Sequence, residues 1–218
     1  MNYKRALQAG MMAILVALPA LSQTNSAVRE ERVLSFIHQT NLFEIQAAKL
    51  ALANSSSDAV KGFAQQMITD HQAADAQVRT YASAHGIDID TVRQQLDQVS
   101  ADRLELQRRD RALGSATGEW AWTWENTLQK KNQDASEIAK LSNLRGAAFD
   151  REYVRAMIDG HQKAIDRLTN AEENLRPGRV NPGEPISADL KALIDNLLPT
   201  IQHHLDMAQA LQSKVAKA

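Results

Sequence analysis

The chain has 218 residues, a formal net charge of −1, nine glycines, five prolines, no cysteine and only 5% aromatic residues. That length supports one domain with a substantial core, since about 70% of the extended-chain surface is buried at this size. The abundance of Ala, Leu, Gln, Lys and Glu favours helices over sheet. The absence of an internal basic block argues against nucleic acid as a partner, and the lack of cysteine removes disulfides and a lipid-modified cysteine.

The N-terminus reads as an export signal. Lys4 and Arg5 form a small basic region, Ala6 to Leu18 is apolar, and Ala20-Leu21-Ser22 places small residues before a cleavage point after Ser22. The apolar run is too short for a spanning helix with polar flanks, so no spanning segment is expected once residues 1–22 are removed. Loss of Lys4 and Arg5 takes the net charge from −1 to −3. The expected location is the periplasm or the exterior; an uncleaved N-terminal anchor is the other reading.

Residues 29–215 read as a bundle of four long helices. The first runs from about Arg29 to Asn54, with Val33, Ile37, Thr40, Glu44, Ala47 and Ala51 along one seam. Asn54-Ser55-Ser56-Ser57 breaks it, and Ser57 or Asp58 caps a second helix, about Asp58 to His85, which Gly86 stops. Its stripe is Val60, Ala64, Met67, His71, Ala74, Val78 and Tyr81.

Residues 87–146 read as an inserted αα hairpin, with a turn at Gly114-Ser115-Ala116-Thr117-Gly118. Trp120 and Trp124 share a helical face and Trp122 points away, which suits packing of the hairpin. A strand or a sugar-stacking platform is the alternative.

A third helix starts near Ala147 or Phe149 and continues to Leu175, with Val154, Ile158, His161, Ile165 and Leu168 on its seam. The proline-rich stretch from Arg176 to Pro185 is a stiff loop. Ser187 caps the fourth helix, whose seam is Leu190, Ile194, Leu197, Ile201, His204, Ala208, Leu211 and Val215. Pro199 inside it is expected to kink the helix just before the histidines.

Each seam carries one metal-competent side chain: Glu44, His71, His161 and His204. Measured from the connecting loops at 1.5 Å per residue, His161 and His204 differ in depth by about 3 Å and Glu44 and His71 by about 5 Å, so all four fit one layer. The two copies of one motif, Met67-Ile68-Thr69-Asp70-His71-Gln72 and Met157-Ile158-Asp159-Gly160-His161-Gln162, supply two of the histidines. Burying such groups without partners costs on the order of 1–3 kcal/mol each. Two arrangements avoid that cost: a hydrogen-bonded cluster with a protonated histidine, or a cation on neutral imidazoles and one carboxylate.

Several of these residues carry a resemblance. Phe36 with Glu44, Phe63-Ala64-Gln65-Gln66-Met67 leading to Asp70-His71, Gly146-Ala147-Ala148-Phe149-Asp150 leading to Tyr153, Met157 and His161, and Leu198-Pro199-Thr200-Ile201 leading to His204-Leu205 resemble the DUF4142 domain family over about Leu34 to Leu211. The resemblance implies an exported, ferritin-like all-α four-helix bundle of unknown activity, in a family often labelled as outer-membrane proteins. The segment from about Gln94 to Gln133 is longer than the family's usual connection.

Di-iron proteins of ferritin-like fold use Glu-x-x-His pairs, and three residues before His71, His161 and His204 stand Ile68, Ile158 and Ile201. A di-iron site is therefore not expected. Met67 and Met157, each four residues before a histidine, are candidate soft ligands, as Met207, three after His204, also is by position. Thioether with imidazole suits copper, while zinc suits the imidazoles and Glu44 alone. Methionine as core filler is the alternative.

Asp70 and Asp159 either orient imidazoles or sit at a solvated edge. His38, His85 and His203 are expected at the surface. No nucleophile–base pair or phosphate loop is present, so no catalytic residue or organic cofactor is assigned. Two functions stay open: a metal-binding bundle, or a non-enzymatic envelope protein with a structural cluster and a protein partner at residues 90–140.

Overall fold

A computed structural model of the chain describes residues 20–89, 133–173 and 186–216, with side chains in the first stretch described from Glu30 onward. Among the described residues all regular structure is helical. Helix α1 spans Ala20–Asn54, α2 Asp58–Ala84, α3 Gly146–Glu173 and α4 Ala188–Val215. Residues 133–142 form a further helical segment ahead of α3. Because α1 begins before the expected Arg29, the cleavage point expected after Ser22 falls in its first turn. The rest of the expected signal, residues 1–19, and Trp120, Trp122 and Trp124 lie outside the described residues.

The helix ends follow their local chemistry. Ser57 Oγ accepts from Val60 N at 3.4 Å and Ser187 Oγ from Leu190 N at 3.1 Å, satisfying amides that the first turns leave without partners. Gly86, at φ 66°, takes the left-handed conformation that lets Ile87 N donate to Ala82 O at 2.8 Å and closes α2. Helix α4 continues through Pro199 to Val215.

Helix α1 packs on α2 and α3, and α4 packs on the same two, so the four form a ring. Neighbours are antiparallel. Tyr81 donates to Glu30 while His71 meets Asn41 across α1 and α2; Tyr81 meets Ser187 while Asp70 meets His204 across α2 and α4. Ser56 meets Asp150 while Glu44 meets His161 across α1 and α3. Helices α2 and α3 therefore lie across the diagonal and run the same way, which brings both copies of the histidine motif to one level. The last residue of α2 and the first of α3 therefore stand at opposite ends of the ring.

Two apolar clusters fill the interior. One gathers Ala47, Ala51, Phe63, Met67, Phe149, Tyr153, Met157, Ala208 and Leu211, and Leu141 of the 133–142 segment joins it, fully buried. The other gathers Leu34, Ile37, Val78, Leu168, Leu190, Ile194 and Leu197. On every helix buried polar residues stand between the two clusters: Asn41 and Glu44 on α1, His71 and Asp75 on α2, His161 on α3 and His204 on α4, with Ala164 and Leu205 beside them.

Candidate metal centre

The helical period puts Glu44, His71, His161 and His204 on the inner faces of four neighbouring helices, and the ring brings them to one layer. Glu44, His161 and His204 are each only 1% exposed and His71 5%, so bulk solvent does not balance their polarity. The three imidazoles offer nitrogen atoms within 4.8 Å of one another. His161 Nε2 stands 3.4 Å from His204 Nδ1 and 3.4 Å from Glu44 Oε2. His71 Nε2 stands 2.6 Å from the same oxygen.

Each ring is oriented by a bond on its outer nitrogen. His71 Nδ1 donates to Asn41 Oδ1 at 2.9 Å, His161 Nδ1 to the carbonyl of Met157 at 2.8 Å, and His204 Nε2 to Asp70 Oδ2 at 2.8 Å. All three acceptors are oxygens without a proton to give, so the outer nitrogens carry the hydrogens. In the neutral rings, His71 Nε2, His161 Nε2 and His204 Nδ1 therefore hold lone pairs; the three imidazoles gather within 4.8 Å, and the Glu44 carboxylate stands against His71 and His161. His71 Nε2 and Glu44 Oε2 form a buried pair at 2.6 Å, a separation that needs either a proton or a cation between the two atoms.

Electrostatics keep Glu44 ionised. Burial pushes its carboxyl up, but the positive charge of His161, His71 and His204 in their protonated state, with a bond from His71, outweighs burial and holds it down at about 2. His204 is shifted down, first by burial and then by His71 and His161, against the opposing pull of Asp70. Asp70 is itself held low: the bonds from Gln66 and His204 overcome its partial burial. Gly160 stands where the first copy of the motif has Asp70, and a Cβ there would lie 3.4 Å from Glu44 Oε1. The glycine leaves room for the carboxylate between the helices.

Other sequence expectations divide. Asp70 orients an imidazole, whereas Asp159 pairs with Arg155 at 2.6 Å on the exposed face. Met67 and Met157 are fully buried in the apolar cluster beside the layer. His85 and His203 are exposed as expected.

His38 is not at the surface. It is 2% exposed, with Nδ1 2.6 Å from Asp75 Oδ1, and Arg79 Nε donates to Asp75 Oδ2 at 3.0 Å. Helix α1 touches two neighbours and buries a second stripe of Leu34, His38, Asn41 and Ala48, so its inner face is wider than one seam. That stripe also contains Asn41, which the single-seam reading overlooked. Its spacing of three from Glu44 was the available signal.

The family of domains of unknown function designated DUF4142 matches this sequence over residues 16–112 and 108–211, which together cover most of the chain. The chain belongs to the DUF4142 family. Among solved structures, this DUF4142 protein is similar to a protein described as secreted, of the DUF305 group, from Streptomyces coelicolor. The two are 12% identical, with a TM-score of 0.55 over 88% of this chain and 96% of that one, a likeness of fold alone. No curated protein matches the DUF4142 chain. No helix among its described residues is long and apolar enough to cross a membrane.

Proposed function

We propose that this protein is an exported, ferritin-like four-helix bundle, with a helical insertion between α2 and α3, that binds one transition-metal ion in its core. The ligands are Glu44, His71, His161 and His204, and the ion is zinc or copper(II) rather than a di-iron pair. The observation that carries the reading is the orientation of the three imidazoles, each anchored outward through an N–H and each presenting its other nitrogen inward. Metal-binding histidines are held in this way, because the outer bond fixes the tautomer and raises the basicity of the inner nitrogen.

Distances support the same reading. Four ligands about 2.0–2.1 Å from a zinc ion stand about 3.3 Å from one another; two of the separations here are 3.4 Å, and the His71–Glu44 pair, at 2.6 Å, would have to open slightly to admit the ion. One carboxylate among three imidazoles also matches the donor preference of zinc and copper(II). Beside the three histidines stand Ile68, Ile158 and Ile201, so the bridging carboxylates of a di-iron centre are lacking.

The ring of antiparallel neighbours, with α2 and α3 parallel across the diagonal and some sixty residues of sequence between them, supports the ferritin-like assignment. The basic-then-apolar N-terminus supports export to the periplasm or beyond.

Metal analysis of protein purified without a histidine tag tests the site. One ion per chain is expected, lost in His71→Ala and His161→Ala. Stoichiometric metal that survives both substitutions rules this layer out. Metal-free protein that stays folded after repeated exposure to zinc and copper favours the other reading, a structural cluster held by protons in an envelope protein with a partner at residues 90–140.

A further inference from the structure

A small cavity of about 20 Å³ opens beside the layer, lined by Thr40, Asn41, Glu44, His71 and His161 and closed by apolar side chains such as Ile37 and Leu168. Two buried polar atoms on its lining residues, Thr40 Oγ1 and Asn41 Nδ2, have no hydrogen-bond partner, while Glu44 Oε2 and His71 Nε2 meet only each other, at 2.6 Å. Thr40 is neither a ligand nor a ring anchor, and Asn41 holds His71 through its oxygen and leaves its NH₂ group over. Orphaned buried donors and acceptors cost about 1–3 kcal/mol each, and a void of about 10–15 Å³ suffices for one water with two or more polar partners.

Resting on the metal reading above, we infer that the ion keeps one exchangeable coordination position on the α1 side, for a single water-sized ligand. Asn41 Nδ2 donates to that ligand, and the Thr40 hydroxyl bonds it as donor or acceptor. The coordination is then five: three imidazoles, one carboxylate and water, hydroxide or a monatomic anion. Ligands of this class are selected by size, because the cavity holds one non-hydrogen atom and its far wall is apolar. An open position is what separates reactive metal sites from closed structural ones.

Cobalt(II) substitution of the full chain reads this directly, since four- and five-coordinate cobalt differ in visible absorption. The expected result is a five-coordinate spectrum that shifts saturably with fluoride and does not respond to azide, which is three atoms long. Thr40→Val keeps the volume and removes the hydroxyl. It is expected to retain one cobalt per chain while weakening the fluoride response at least tenfold. A tetrahedral spectrum indifferent to fluoride, a Thr40→Val protein with an unchanged fluoride response, or an equal response to azide overturns the inference while the metal site stands. Failure of the wild-type chain to take up cobalt overturns the inference and the metal reading together.

Discussion

At the residue scale, what distinguishes the layer is the direction of its protons. His204 depends on Asp70, which lies at the partly exposed edge and takes the Nε2 hydrogen at 2.8 Å. Asp70→Asn keeps the shape but weakens the acceptor, so metal affinity should fall about 10–100-fold with one ion per chain still bound. Competition with a chelator of known affinity measures it, and an unchanged affinity would detach Asp70 from the site. The methionines make the opposite prediction. Met67 and Met157 fill apolar space, so Met157→Leu should cost less than about 1.5 kcal/mol in denaturant unfolding and leave metal content unchanged. Loss of the ion in that variant would place sulfur among its ligands. Glu44, His71, His161 and His204 were legible in the sequence because a charged or imidazole side chain on an apolar stripe contradicts its surroundings. His38 was not legible: it sits one residue beyond the Ile37 stripe, on a face that only packing against a second helix buries.

At the element scale, helix periodicity and caps located α2 and α4 closely, because Ser57, Gly86 and Ser187 carry their own hydrogen-bond chemistry. The start of α1 was misplaced, since no capping residue marks it and the expected signal runs into the helix. The 133–142 segment is attached differently from the four long helices. Leu141 is its buried apolar anchor, helped by Ile138 and by Asn54 Nδ2 donating to the Leu141 carbonyl, and charges hold its outer side: Lys140 Nζ lies 2.6 Å from Glu152, and Arg155 lies 3.0 Å from Glu137. Although partial burial works against it, Glu152 is held down at about 2 by Arg155 and Lys140. A depressed carboxylate stabilises the folded form above its ordinary value near 4.5 and loses that contribution as pH falls toward 2. Acidification through this window should therefore loosen 133–142 before α3. Hydrogen exchange by mass spectrometry would show it, and Glu152→Gln should abolish the pH dependence. Equal exchange of the two elements at every pH would contradict the attachment described.

At the scale of the whole molecule, an ion that binds only the folded chain stabilises it by mass action. At free metal a hundred times its dissociation constant the gain is about 2.7 kcal/mol. For a chain of this size that corresponds to a rise in Tm of roughly 5–10 °C, readable by calorimetry with and without chelator and lost in His161→Ala. The architecture itself was legible as four amphipathic helices. The ring order was not, because the sequence gives each helix a face but does not say which neighbour it meets. The division of the interior into two apolar compartments has a consequence for cooperativity. Apolar packing couples distant parts of a small protein, and a polar stratum between two such compartments interrupts that coupling. With the stratum bridged by an ion, the molecule should open as one unit. With the imidazoles and carboxylate left to themselves, the compartment around Leu34, Leu190 and Ile194 should open apart from the one around Phe63, Tyr153 and Met157, giving two classes of amide protection that merge into one on loading.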